Sequence, residues 1–179
     1  MTQSELLAYY AALKQADAGL SLRAAVYSVP KGRPRFSGKG HTYTPEATRE
    51  FEGVIRALAQ SKKWKAYSCP VTVTIVIQVA TPTSYDPVKT VMAMLGLITP
   101  PRGDLDNRVK AITDALNGIA YYDDVQITRT ISEKVFGSTN LISVEISRAG
   151  LSDMEIDRFK KMQKVAHVSR NSGRSNSVG

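Results

Sequence analysis

A chain of 179 residues that is 42% apolar can build one hydrophobic core and is too short for two ordinary domains. With 24 Lys and Arg against 16 Asp and Glu, its net charge of +8 favours a polyanionic partner over an acidic small molecule, although charge alone also fits a basic soluble protein with no selective partner. The lone Cys69 excludes an internal disulfide and, just before an apolar run, reads as a buried free thiol. No stretch approaches the ~20 apolar residues of a membrane span. The first residues show neither a basic segment before a long apolar run nor a small-residue cleavage site, so a cytoplasmic protein with no membrane partner is expected.

Behind Ser4, a capping residue, Leu6, Leu7, Tyr10 and Leu13 recur at helical spacing and predict an amphipathic helix over residues 4–17. Leu22 to Val29 has strand character, and the glycines and prolines from Pro30 to Gly40 predict a long basic loop without regular structure. A second helix is expected from Pro45 to about Lys62, with Phe51, Ile55 and Leu58 on its buried side. Val71 to Val79, dense in Val, Ile and Thr, is a strand.

Residues 81–103 place Pro82, Pro87, Pro100 and Pro101 around Val91-Met92-Ala93-Met94-Leu95, which predicts a short helix inside a flap. A third helix is expected over about Leu105 to Gly118, followed by a turn at Asp123-Asp124. Two strands then follow, Val125 to Phe136 and Leu141 to Ile146, read as a hairpin joined at Gly137-Ser138-Thr139-Asn140. Beyond Gly150, a weakly amphipathic basic stretch gives way to Ser169–Ser177, with too little apolar surface to order itself.

The stretch from Gly103 to Asp124 carries the chemistry. Asp104 and Asp106 lie two apart, on one side of an extended backbone, and Asp106 sits where a helix cap belongs. Two like charges held close cost energy unless a cation bridges them. Lys110 lies one turn beyond Asp106, and the Asp123-Asp124 pair follows closely enough to fold back beside them. Each feature also has a structural alternative: a cap, a solvated face with an ordinary ion pair, a simple turn. Together, several carboxylates and a lysine make a hard, oxygen-rich site of the kind that suits Mg²⁺ or Mn²⁺, while His and Cys are too scarce for zinc. Such ions activate water and stabilise a leaving oxygen, as phosphodiester hydrolysis requires.

Asp104-Leu105-Asp106-Asn107, Lys110, Asp114-Ala115-Leu116-Asn117-Gly118 and Asp123-Asp124-Val125-Gln126 resemble the signature of the RusA family of Holliday junction resolvases, which are crossover junction endodeoxyribonucleases. Lys31-Gly32-Arg33-Pro34-Arg35-Phe36, with Tyr43-Thr44-Pro45 and Thr48-Arg49, is similar to the amino-terminal half of phage and prophage members. The resemblance covers about residues 22–147. It implies an α+β fold in a single compact domain, a mixed β-sheet with packed helices, and a homodimer that binds four-way junctions in DNA recombination and repair. The metal would be Mg²⁺, with Mn²⁺ as a substitute, held by Asp104, Asp106 and Asp124 with Asp123 assisting. Lys110 falls on the motif lysine and would orient a carboxylate or stabilise charge on the phosphate. The expected division is a helical extension over residues 1–20, the nuclease domain over 21–149, and a basic, largely disordered tail over 150–179, in a bacterial or phage-infected cytoplasm.

Between Pro30 and Lys65 there are nine Lys or Arg and three Glu, interleaved with Phe36, His41 and Tyr43. Lys31, Arg33, Arg35, Lys39 and Arg49 are the expected phosphate contacts, and the aromatics either wedge into a branch point or pin the loop to the body. Competing readings are a non-catalytic binder of branched or single-stranded DNA, and a metal-dependent nuclease acting on flaps or RNA.

Overall fold

The computed structural model describes residues 2–32, 35–36, 42–101 and 103–174. In chain order these form α1 (Gln3–Gln15), β1 (Leu20–Ala24), β2 (Arg35–Phe36), β3 (Thr42–Tyr43), α2 (Glu46–Ser61), β4 (Val71–Ala80) and α3 (Pro87–Met94), then α4 (Leu105–Leu116), a 3-10 turn (Asp124–Gln126), β5 (Ile127–Gly137), β6 (Leu141–Arg148) and α5 (Asp153–Arg174). Thr2, rather than Ser4, caps α1 through a capping box with Glu5. The first strand ends at Ala24, short of the expected Val29, and the basic loop contains a small antiparallel ribbon pairing Arg35 with Tyr43.

The fold is α+β around a mixed four-stranded sheet in the order β1-β6-β4-β5. Val71, Val73, Ile75 and Ile77 alternate along β4 and are completely buried, meeting Ile142, Val144 and Ile146 from β6 and Leu22 from β1. Helices α2 and α4 lie over this face, contributing Phe51, Ile55, Ile112 and Leu116 to one core. The other sheet face is polar, with Thr72, Thr74, Glu145 and Ser147 at the alternate positions.

The expected hairpin is corrected. Strands β5 and β6 are consecutive but do not pair: β4 lies between them, parallel to β5 and antiparallel to β6. With one face fully apolar, β4 gains most as a central strand, and its long-range pairing overrides the local turn signal. The connection arches over the end of β4, where Asn140 Oδ1 accepts the Ala80 N–H at 2.9 Å and the Thr81 N–H bonds Gly137 O at 2.9 Å. A side chain at Gly137 would have to displace the Gln78 side chain, whose Nε2 donates to Thr139 O at 3.1 Å.

Beyond Gly150, residues Asp153–Arg174 are helical. Ser152 and Glu155 bond reciprocally at the start of α5, Arg148 Nη1 donates to Glu155 at 2.7 Å, and buried Phe159 stacks on Tyr9 of α1 with ring centroids 5.1 Å apart. Asp17 completes the tie, accepting from the Arg148 N–H at 2.8 Å and the Tyr67 hydroxyl at 2.6 Å. Both terminal extensions are thus fastened to the sheet and to each other.

Candidate active site

Gly103 and Asp104 lead into α4, and their backbone decides how the acidic residues are presented. Gly103 has φ +73°, a left-handed conformation open to glycine, and a Cβ there would press on the Arg108 guanidinium at 3.0 Å. Asp104, in extended conformation, occupies the N-cap position but makes no capping hydrogen bond, while Asp106 lies inside the first turn. The structure therefore reverses the expectation that Asp106 is the cap. A carboxylate in the first turn is stabilised by the positive end of the helix.

Burial along α4 is uneven. Ile112 and Leu116 are buried, Leu105, Val109 and Ile119 are only partly covered, and Arg108 is buried at 1% exposure. Its guanidinium donates to the carbonyl and hydroxyl of Ser28 and, at 3.0 Å, to the Tyr27 hydroxyl, and it sits 5.0 Å from the Tyr27 ring. This ties α4 to the segment after β1. From the other side, Lys134 Nζ on β5 donates to Gly103 O at 2.9 Å. Arg108 and Lys134 together fix the approach to Asp104. Neither carried a signal in the sequence, where an arginine inside a helix and a lysine on a strand read as surface residues.

Leu105 and Val109, partly buried and packed against the core, also form the apolar wall of a cleft of about 630 Å³. Asp106, Lys110 and Thr113 of α4 line it on the same side, and Asp124, Ile127, Thr130 and Ser132 line it opposite. Three of the expected site residues, Asp106, Lys110 and Asp124, thus meet in one cleft. Asp104 is exposed and outside this lining, and among the described residues no group of three or more Asp, Glu, His or Cys is gathered closely enough to hold a metal ion.

The Asp123-Asp124 turn divides its duties. Asp123 caps the 3-10 turn, accepting from the Val125 N–H at 3.0 Å. Gln126 Oε1 takes the Tyr122 and Asp123 N–H groups at 2.8 and 3.0 Å, and its Nε2 donates to the carbonyls of Tyr67 and Cys69 at 3.0 and 2.9 Å. That clamp leaves Asp124 facing the cleft. The carboxylates of Asp106 and Asp124 are exposed and make no hydrogen bond or ion pair with a described residue, so both are open to an incoming cation.

Lys110 reaches Asp114 at 3.4 Å, one turn further along α4. Asp114 is shared with Lys31, whose ammonium is 2.8 Å from Asp114 and 2.5 Å from Glu52 of α2. Burial acts to lower the Lys31 pKa, but the bonds to Asp114 and Glu52 outweigh it and hold the group protonated above its ordinary value. Expected as a DNA contact, Lys31 is engaged internally instead. Arg49 is exposed on α2, whereas Arg33 and Lys39 and the side chain of Arg35 lie outside the described residues. Burial, and then the charges of Asp114 and Asp124, push the Tyr121 phenol up, so it stays neutral beneath the cleft and donates to Thr113 O at 2.8 Å.

Comparison with known proteins adds the family. The description Endodeoxyribonuclease RusA matches residues 26–147 of this chain. The chain belongs to the RusA endodeoxyribonuclease family. The matched span begins after β1 and closes within β6, so it encloses the cleft and leaves α1 and α5 outside. A protein of Bacillus subtilis (strain 168), named Uncharacterized protein YqaN, is 30% identical over 134 residues, which covers 70% of this chain and 94% of that protein. For a RusA family member the donor set of the cleft is apt: carboxylate oxygens of Asp106 and Asp124 with hydroxyls of Thr130 and Ser132, all hard ligands suited to a small divalent cation. No helix among the described residues is long and apolar enough to cross a membrane.

Proposed function

We propose that this RusA family protein is a Mg²⁺-dependent endonuclease that resolves four-way DNA junctions by paired nicking as a homodimer. The observation that carries the proposal is the meeting of Asp106, Asp124 and Lys110 in one cleft, within a span that matches an endodeoxyribonuclease family. Asp106 and Asp124, with Asp104 two residues before Asp106, are the residues that would hold the divalent cation. When bound, the cation supplies a water of lowered pKa and charge stabilisation for the leaving oxygen.

The remaining work falls to the chain. Lys110, exposed at the cleft and only loosely held by Asp114, offsets charge on the scissile phosphate, and the Thr130 and Ser132 hydroxyls can hydrogen-bond its free oxygens. Leu105, Val109 and Ile127 form the apolar side of the cleft. Two copies related by a twofold axis would set two such clefts against opposed strands of a symmetric junction. Arg33, Arg35, Lys39 and Arg49 are the proposed phosphate contacts that position the branch.

The test is cleavage of end-labelled four-way, flap and linear duplex DNA with Mg²⁺, Mn²⁺ or a chelator. Metal-dependent nicking of the four-way substrate in preference to linear duplex is expected. Equal cutting of all three removes junction selectivity, and metal-independent cutting removes the proposed chemistry.

A further inference from the structure

Residues 158–179 contain six Lys or Arg and no Asp or Glu, a local excess equal to that between Pro30 and Lys65. Residues 158–174 of this stretch are helical. Acidic Asp153 and Glu155 occupy the first turn of α5, Phe159 anchors it, and Arg158, Lys161 and Lys164 beyond are exposed and form no ion pair with a described acid. Spaced three residues apart, they spread cations over roughly 9 Å of helix. Duplex DNA presents about five phosphates over such a length.

The root of α5 adjoins a second basic feature. On the polar face of the sheet, Lys14 of α1, Arg129 of β5 and Arg148 of β6 line a hollow of about 410 Å³ together with the hydroxyls of Thr72, Thr128 and Ser147. No acidic residue lines it. Arg148 belongs to both features, since its Nη1 holds Glu155, and its buried Nε has no hydrogen-bond partner among the described residues. Cations with hydroxyl donors and no carboxylate suit a phosphate group.

Placement connects this surface to the cleft. Val71 pairs with Ile127 on one side and Arg148 on the other, so the Asp124 turn and the start of α5 leave the same end of the sheet. Both α1 and α5 lie outside the family span of residues 26–147. We infer that the two extensions form an added phosphate-binding surface, on which a duplex arm of the DNA substrate lies along α5 and seats a phosphate in the Lys14–Arg129 hollow. This rests on the proposed function for the identity of the ligand, but not on cleavage.

The experiment measures binding of the full chain to duplex and four-way DNA in EDTA, between about 50 and 200 mM salt. Two variants are compared with wild type, Lys14→Gln with Arg129→Gln, and Arg158→Gln with Lys161→Gln and Lys164→Gln. Each lost phosphate contact should take about 0.9 from the slope of log affinity against log salt, so the triple variant should lose ~2–3 units. If the triple variant melts lower than wild type, Lys161→Gln and Lys164→Gln are read singly, each expected to remove about 0.9. Unchanged slopes overturn the inference. So does binding to phosphatidylserine vesicles that falls in the variants while DNA binding does not, because a basic helix bearing exposed Met162 and Val165 would then be a membrane-surface helix. Failure of the wild type to bind any DNA would instead overturn the proposed function.

Discussion

Asp114 Oδ2 stands 2.8 Å from the Lys31 ammonium, so a helix that lines the cleft is bolted to the loop that follows β1. The Lys31 N–H reinforces the joint by donating to Asn107 O at 2.8 Å. Replacing Lys31 with Met leaves Glu52 and Asp114 facing each other, half buried, without their shared cation. The expected cost is about 1–3 kcal/mol of stability, read from urea unfolding. Adding Asp114→Asn should recover part of it, since the double variant removes one of the repelling charges. Additive losses in this cycle would show that the pair is not coupled.

Asp106→Asn should lower nicking by at least about 10²-fold while four-way junction binding persists or tightens. The amide keeps the side chain's size, and because Asp106 is not the cap of α4, folding loses only the interaction of one charge with the helix end, about 0.3–1 kcal/mol. The lost charge is the one that would hold a divalent ion, and its removal also relieves repulsion of the DNA backbone. Gel shift and nicking on one preparation, with circular dichroism, decide it. Full activity in a folded Asp106→Asn protein would exclude Asp106 as a metal ligand.

Phe159→Ala should destabilise the protein by about 3 kcal/mol, because the ring is buried at 3% exposure against Tyr9. Truncation after Gly150 should cost more, since it also removes Glu155 from Arg148. A truncated chain that melts with the full chain would mean that α5 does not pack on the body.

Acid should loosen the same junction. Burial acts to raise the pKa values of Asp17 and Glu155, but their hydrogen bonds, from Tyr67 and Arg148 and from Arg148 and Ser152 respectively, prevail and hold both below the ordinary value. Folding then favours the ionised forms. The stability they add is complete above the ordinary carboxylate pKa, near ~4, and fades as pH falls through the depressed values. Melting temperature should drop below about pH 4, and less steeply in Glu155→Gln. A drop of equal steepness in that variant would remove Glu155 from the account.

Much of this was legible because it is written locally. β4 shows its burial in the alternation of Val71, Val73, Ile75 and Ile77, and α2 shows Phe51 and Ile55 at helical spacing. Asp106, Lys110 and Asp124 were recognisable as a group because the chain between them is short. What was missed depends on distant partners. The turn at Gly137–Asn140 looks like a hairpin until β4 takes both neighbouring positions. Likewise, Arg108 turns inward only because Ser28 and Tyr27 supply acceptors for it. The root of α5 meets Tyr9, which lies near the opposite end of the sequence.

The parallel pairing of β4 with β5 sets when the cleft can form. Every candidate carboxylate from Asp104 to Asp124 lies on the crossover between those two strands, and the cleft's second wall, Thr130 and Ser132, is β5 itself. Local contacts can form α4, but only this non-local pairing, entropically the slow kind, brings Asp124 across from Asp106. A nascent or partly unfolded chain therefore carries the acidic residues without the cleft, and under the proposed function it would cut nothing until the sheet is complete.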